Sequence, residues 1–168
     1  RREVRQLEQA HITLAFPGLA FDDEDFYAIQ VLSTVLGGGM SSRLFQELRE
    51  KRGLCYSVFS FASAYLDAGL FGVYAGTGEN EVGELVPVLC DEIARVAEDV
   101  DEAETARARA QHKAGIMMGL EAPMARCEHL GRQLLIYGRA IPTAELIAEI
   151  DAVDTAALKR VAGRVLGG

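Results

Sequence analysis

The chain is short of cysteine, histidine, net positive charge and long apolar runs, and each shortage closes off a class of function. Its three cysteines, Cys55, Cys90 and Cys127, are odd in number and far apart, without a CxxC pair. That spacing supports neither a thiolate zinc site nor a disulfide framework, and it points to a reducing compartment. A formal net charge of -8 leaves no concentrated Lys and Arg surface of the kind nucleic-acid phosphates require. No uninterrupted apolar run approaches the roughly 18 residues of a membrane span. The three histidines, His11, His112 and His129, form neither HExxH nor HxxEH, the pairs that put two imidazoles on one helix face. A complete metal site is therefore not expected within the chain. It opens Arg-Arg-Glu-Val, with neither Met nor a signal peptide's apolar segment, and reads as a fragment or a processed chain.

What is present suits a globular fold. The 168 residues are 49% apolar and 25% charged, enough for a hydrophobic core without staples. With no internal repeat and no low-complexity linker, residues 1–168 read as one α+β domain.

Alternation over His11–Phe16 predicts a strand, with Ile12, Leu14 and Phe16 on one face and a Pro17-Gly18 turn closing it. His11, on its more polar face, reads as an ordinary strand residue. Asp22, Asp23, Glu24 and Asp25 predict an acidic helix start, where carboxylates meet unpaired amides. Phe26, Ile29, Leu32, Val35 and Leu36 give that helix its core face. Gly37 is expected to end it in the left-handed conformation. Ser41 or Ser42 is placed to cap a short helix with Leu44, Phe45 and Leu48 inward, stopped by Gly53.

A period of two from Leu54 to Ser63 predicts a strand with Leu54, Tyr56 and Val58 on one face. A turn at Leu66–Gly69 and a second strand, Leu70–Thr77, complete an antiparallel hairpin. Apolar residues on both its faces predict a largely covered sheet. The remainder reads as helical: a stripe from Val82 to Val96 interrupted by Pro87, a capping-box start at Asp101 and Glu104, and a break at Ala122-Pro123. A helix to Tyr137 and two short helices, around Thr143–Ile150 and Asp154–Leu166, finish the chain.

Chemistry has few carriers. Ser41, Ser42 and Ser57 lack a GxSxG elbow and a local His, Cys55 sits in an apolar strand, and the triple glycine has no GK[ST] sequel. Arg49 and Tyr56 remain, near the end of the short helix and the start of the next strand. A guanidinium and a phenol can hold a peptide carbonyl or stabilise the oxyanion formed when it is attacked. The residues alone favour a surface ion pair with a nearby carboxylate for Arg49 and a core-edge position for Tyr56.

The run LGGGMSSRLFQELREKRGLCYSV, residues 36–58, resembles the signature of the zinc-free half of pitrilysin/insulinase-like metallopeptidases, the family of the mitochondrial processing peptidase. AHITLAFPG, the hairpin ending Gly76-Thr77 and the closing Ile150-Asp151 to Asp154 segment extend the likeness over nearly the whole chain. The resemblance implies an antiparallel sheet flanked by helices, one half-unit of a clamshell closing on a peptide substrate. It implies that zinc and the general base belong to a homologous N-terminal half or partner subunit, and that this chain binds no metal or cofactor itself. On the LR-x-K-x-x-L-x-Y pattern it assigns Arg49 and Tyr56 to the closed site. It also implies the C-terminal half of a longer parent, cytoplasmic in a bacterium or, alternatively, in the mitochondrial matrix. A non-catalytic subunit that keeps the fold is the other outcome the family offers. A homodimer through the apolar surface that faced the missing half is a further possibility.

Overall fold

In a computed structural model, residues 8–167 are described. The elements run β1 (Ala10–Gly18), α1 (Phe26–Gly37), a π-helix (Phe45–Lys51), β2 (Ser57–Ala64), β3 (Gly69–Thr77), α2 (Val82–Asp99), α3 (Glu102–Gly119), α4 (Pro123–Tyr137), α5 (Thr143–Ala152) and α6 (Thr155–Leu166). The three described strands form one antiparallel sheet in the order β1-β3-β2. The fold is α+β, as the periodicities predict.

Strand register sorts the side chains into two faces. Ile12 and Val58 both pair with Ala75, Leu14 and Ser60 with Val73, and Phe16 and Ala62 with Phe71. This face is core: Phe71, Val73 and Ala75 are fully buried with Leu32 and Leu36 of α1, Leu89 of α2 and Leu158 of α6. Burial of each such large side chain contributes about 1.5–3 kcal/mol. The opposite face departs from the expected covered sheet. Phe59 and Leu70 are 45% and 38% exposed there, because the helices pack against the other side.

Several local readings are corrected by tertiary packing. Pro17 and Gly18 do not turn; they continue β1 and pair with Leu70 and Gly69. β1 lies at the edge of the described sheet, where a missing N–H costs no ladder bond. Gly37 is not left-handed; it closes the last turn of α1 with its backbone against β2. Neither Ser41 nor Ser42 caps the short helix, and the Ser42 hydroxyl donates to Gly39 O at 2.6 Å. Gly53 does end that helix left-handed, at φ +65°. Pro87 is tolerated inside α2, which begins at Val82, on an exposed face. The capping box at Asp101 and Glu104 forms, and Pro123 opens α4.

The acidic cluster before α1 also behaves differently from expectation. Asp25 sits at the N-cap but makes no side-chain cap bond, and no carboxylate lies in the first turn. Asp25, 3% exposed, instead pairs with Arg160 at 2.5 Å, and Asp23 pairs with Arg164 at 2.6 Å, tying the start of α1 to α6. The Arg164 hydrogen bond holds the Asp23 carboxyl below the usual carboxylate range, against a smaller upward push from burial. A carboxylate with a depressed folded pKa adds stability above its unfolded pKa and loses it as pH falls through the folded one. The wild type is therefore expected to exceed Asp23→Asn in Tm at pH 6, by a half-exposed pair's contribution of under about 1 kcal/mol. That gap should close below about pH 4 in thermal melts, the region of the ordinary Asp pKa; a pH-independent gap would exclude the pair as its source.

Candidate functional site

The glycine-to-strand stretch is built by three anchors. Leu44 and Leu48 of the π-helix segment are fully buried and fix its inner side. Arg43, at its entry, forks onto Glu104 (Nε–Oε1 2.7 Å, Nη2–Oε2 2.5 Å) and also donates to Asp99, joining the segment to the α2–α3 corner. At its exit the left-handed Gly53 lets Leu54 N reach back to Leu48 O at 2.8 Å, while the buried Thr77 hydroxyl donates to Leu54 O at 2.5 Å. Arg43 carries no sequence motif of catalysis, and its structural role depends on residues some 60 positions away, such as Glu104 at a separation of 61.

Arg49 follows Leu48 on the outward side. Its guanidinium lies over the Phe45 ring, 4.8 Å from the centroid, a geometry in which ring and cation attract. It makes no ion pair among the described residues. Its charge acts on Cys55, whose buried thiol is pushed up by burial while Arg49 pulls the other way. Tyr56, the next residue, donates its N–H to Gly76 O at 2.9 Å and so sits at the end of the sheet. The regular strand starts at Ser57, later than expected, and Tyr56 leaves the face of Leu54 and Val58. It is 66% exposed, while those two are buried. Among the described residues Arg49 has no surface ion pair, and Tyr56 is exposed rather than at a core edge. Both side chains are exposed, Tyr56 at the end of the sheet and Arg49 on the π-helix segment that precedes it.

The other candidates do not converge there. Cys55 is a buried, inert thiol, and Ser57 is an exposed strand residue. His112 on α3 and His129 on α4 share a cavity of about 440 Å³ with Tyr27, Arg132 and Tyr137, which neither Arg49 nor Tyr56 lines. Burial pushes the His112 imidazole below the usual histidine range, and His129 shares a 2.8 Å hydrogen bond with Gln133. Among the described residues no group of three or more His, Cys, Asp or Glu side chains is placed to hold a metal ion, so they do not fit a zinc site. No described helix is long and apolar enough to cross a membrane.

Structurally, the chain superposes on a chain of complex III2 from Candida albicans with a TM-score of 0.86 at 22% identity, covering 95% of this chain and 40% of that one. A protease from Helicobacter pylori gives a TM-score of 0.76 at 24% identity, covering 95% and 38%. In sequence, it is 44% identical to an uncharacterized zinc protease of Streptomyces coelicolor, over 97% of this chain and 36% of that protein. It is 37% identical to the mitochondrial-processing peptidase subunit alpha of Neurospora crassa, over 94% of this chain and 30% of that subunit. The chain thus spans only about a third of the length of these curated relatives. The family profile described as the peptidase M16 inactive domain matches residues 1–112, and the chain belongs to the peptidase M16 family.

Proposed function

We propose that the chain is the peptide-binding half of a zinc-dependent endopeptidase. In this reading Arg49 and Tyr56 contact the scissile peptide and stabilise the oxyanion formed on attack, while zinc and the general base reside in a homologous half or partner subunit. The observation that carries the reading is the exposure of both side chains, without ion-pair partners among the described residues and seven positions apart on the family's pattern. Two exposed donors, left unspent on partners among the described residues, are suited to a developing negative charge. A cytoplasmic setting, with the mitochondrial matrix as the alternative, agrees with the cysteine usage.

In the full-length protein, Arg49→Ala and Tyr56→Phe are each expected to lower kcat/KM for peptide cleavage by about 1–3 kcal/mol of transition-state stabilisation. Thermal midpoints should stay near wild type, since both side chains are exposed. Unchanged peptidase kinetics in both variants would overturn the assignment. A non-catalytic partner subunit is the second reading, favoured by the exposed Met118, Met124, Leu134 and Leu135 on α3 and α4. Copurification with an active homologue, together with kinetics indifferent to Arg49, would select it.

A further inference from the structure

The sheet face that the described helices leave uncovered is chemically unusual for a surface. The chain holds 25 Asp and Glu and 17 Lys and Arg, yet β1, β2 and β3 contain none of them. A solvent-facing sheet ordinarily alternates apolar-in and polar-out, and edges are ordinarily guarded by charge. Here the outward row at the centre is Thr13–Tyr74–Phe59, flanked by Ala15–Gly72–Phe61. The Tyr74 and Phe59 rings stack at 4.8 Å and 27°, and Phe59 meets Phe61 at 6.2 Å. Phe61 lies over Gly72, where any Cβ would strike its ring.

Tyr74 is also pinned from the edge strand. His11 Nδ1 and the Tyr74 hydroxyl are 2.7 Å apart, so the histidine reading as an ordinary strand residue is the lock of an aromatic platform. A platform held by a stack on one side and a hydrogen bond on the other loses little rotamer freedom when something lands on it. Its place is equally specific. The row His11–Gly76–Ser57 separates the platform from Tyr56, whose N–H is bonded to Gly76 O. Phe59 is three strand residues beyond Tyr56, ~10 Å at the usual rise, which is the reach of about three residues of an extended peptide.

We infer that this uncharged aromatic platform, centred on Tyr74 and Phe59 and locked by His11, is a specificity subsite that receives a bulky apolar or aromatic side chain of the bound peptide, within about three residues of the bond that Arg49 and Tyr56 contact. The inference rests on the proposed peptide-binding role. The occupant is set by the surface: a neutral, π-rich patch three strand residues from Tyr56 rewards an aromatic side chain and strips water from a charged one without compensation.

The test is equilibrium binding of fluorescent, uncleavable peptides to the full-length protein. The peptides share one backbone and carry Phe, Gly or Asp at one position at a time. Phe should bind about five- to tenfold tighter than Gly or Asp at one position near the central bond, as stacking energies imply. Phe59→Asp should erase that preference, bringing the Phe peptide down to the affinity of the Gly peptide in the same variant. Phe59→Ser, read against its melting curve, serves the same end should the Asp variant fold poorly. His11→Gln should narrow the Phe-over-Gly preference without abolishing it. A flat wild-type profile, or a preference that survives both Phe59 substitutions, overturns the inference. Failure of the underlying role is separable: Arg49→Ala would then leave cleavage unchanged, whereas failure of the subsite alone leaves Arg49→Ala impaired and the profile flat.

Discussion

Gly37→Ala is expected to destabilise the protein by about 3 kcal/mol, the upper range of overpacking, which lowers Tm by roughly 6–12 °C for a chain of this size. A Cβ at this position would stand 2.7 Å from the Phe59 carbonyl carbon and 2.8 Å from Ser60 Oγ, and closer still to the Ser60 backbone nitrogen. Two of these three are backbone atoms, so no rotamer change relieves the clash. Either the end of α1 lifts or β2 slides. Lifting α1 strains the 2.6 Å hydrogen bond from Ser60 Oγ to Ser33 O that joins helix to strand. Sliding β2 displaces Phe59 and, through the chain, Tyr56. The gain from replacing glycine by a better helix former is only about 0.5–1 kcal/mol and does not compensate. Gly83→Ala in α2 is the control: nothing lies within 4 Å of its Cβ, so it should be neutral or mildly stabilising. Calorimetry on the two variants checks the pair of expectations. A Gly37→Ala protein as stable as wild type would mean that α1 and β2 separate freely.

Signals that depend on near neighbours were legible in the sequence. The stripe Leu85, Leu89, Ile93, Val96 is buried as its spacing requires, and the Asp101–Glu104 box closes with Glu104 N on Asp101 Oδ1 at 2.8 Å. Gly53, at φ +65°, stops its helix as expected. What was not legible turns on distant partners. Asp23 and Asp25 resemble helix-start acids until Arg160 and Arg164, over 130 positions later, claim them: the separations are 135 for Asp25–Arg160 and 141 for Asp23–Arg164. Gly37 and Gly53 look alike in sequence, yet one answers to a neighbouring strand and the other to its own dihedral angle. Pro17 reads as a turn because β1's position at the sheet edge is a fact of topology, not of local sequence. Arg49 and Tyr56 were singled out through the resemblance of the stretch that carries them. Their exposure, and the removal of Tyr56 from the Val58 face, required the chain path through Leu54 and Thr77.

Arg43→Ala should cost about 2–3 kcal/mol, less than a fully buried pair because Asp99 is partly exposed, and roughly 4–12 °C in Tm. The Arg43 side chain is 11% exposed and its guanidinium serves two carboxylates at once. One of them, Glu104, also accepts the Asp101 N–H at 3.3 Å, so the same carboxylate caps α3 and holds the π-helix entry. Without the guanidinium, Glu104 and Asp99 face each other beside Glu92, whose carboxyl burial already pushes upward. In the wild type burial raises the Asp99 pKa, but the hydrogen bonds and charges of Arg43 and, to a lesser degree, Arg95 together outweigh it, so the carboxyl lies below its usual range. Its contribution is complete above the unfolded pKa and disappears as pH falls through the folded one. The gap in urea midpoint between wild type and Arg43→Ala should therefore be widest near pH 7 and shrink below about pH 4, with m unchanged. Arg43→Lys, which keeps the charge but not the planar fork, should recover only part of the loss. Full recovery by Lys would reduce the corner to a matter of net charge. A pH-independent gap would instead assign the loss to packing of the arginine stem. Partial recovery with the stated pH dependence identifies the two-carboxylate fork as what holds the segment bearing Arg49 against the α2–α3 corner.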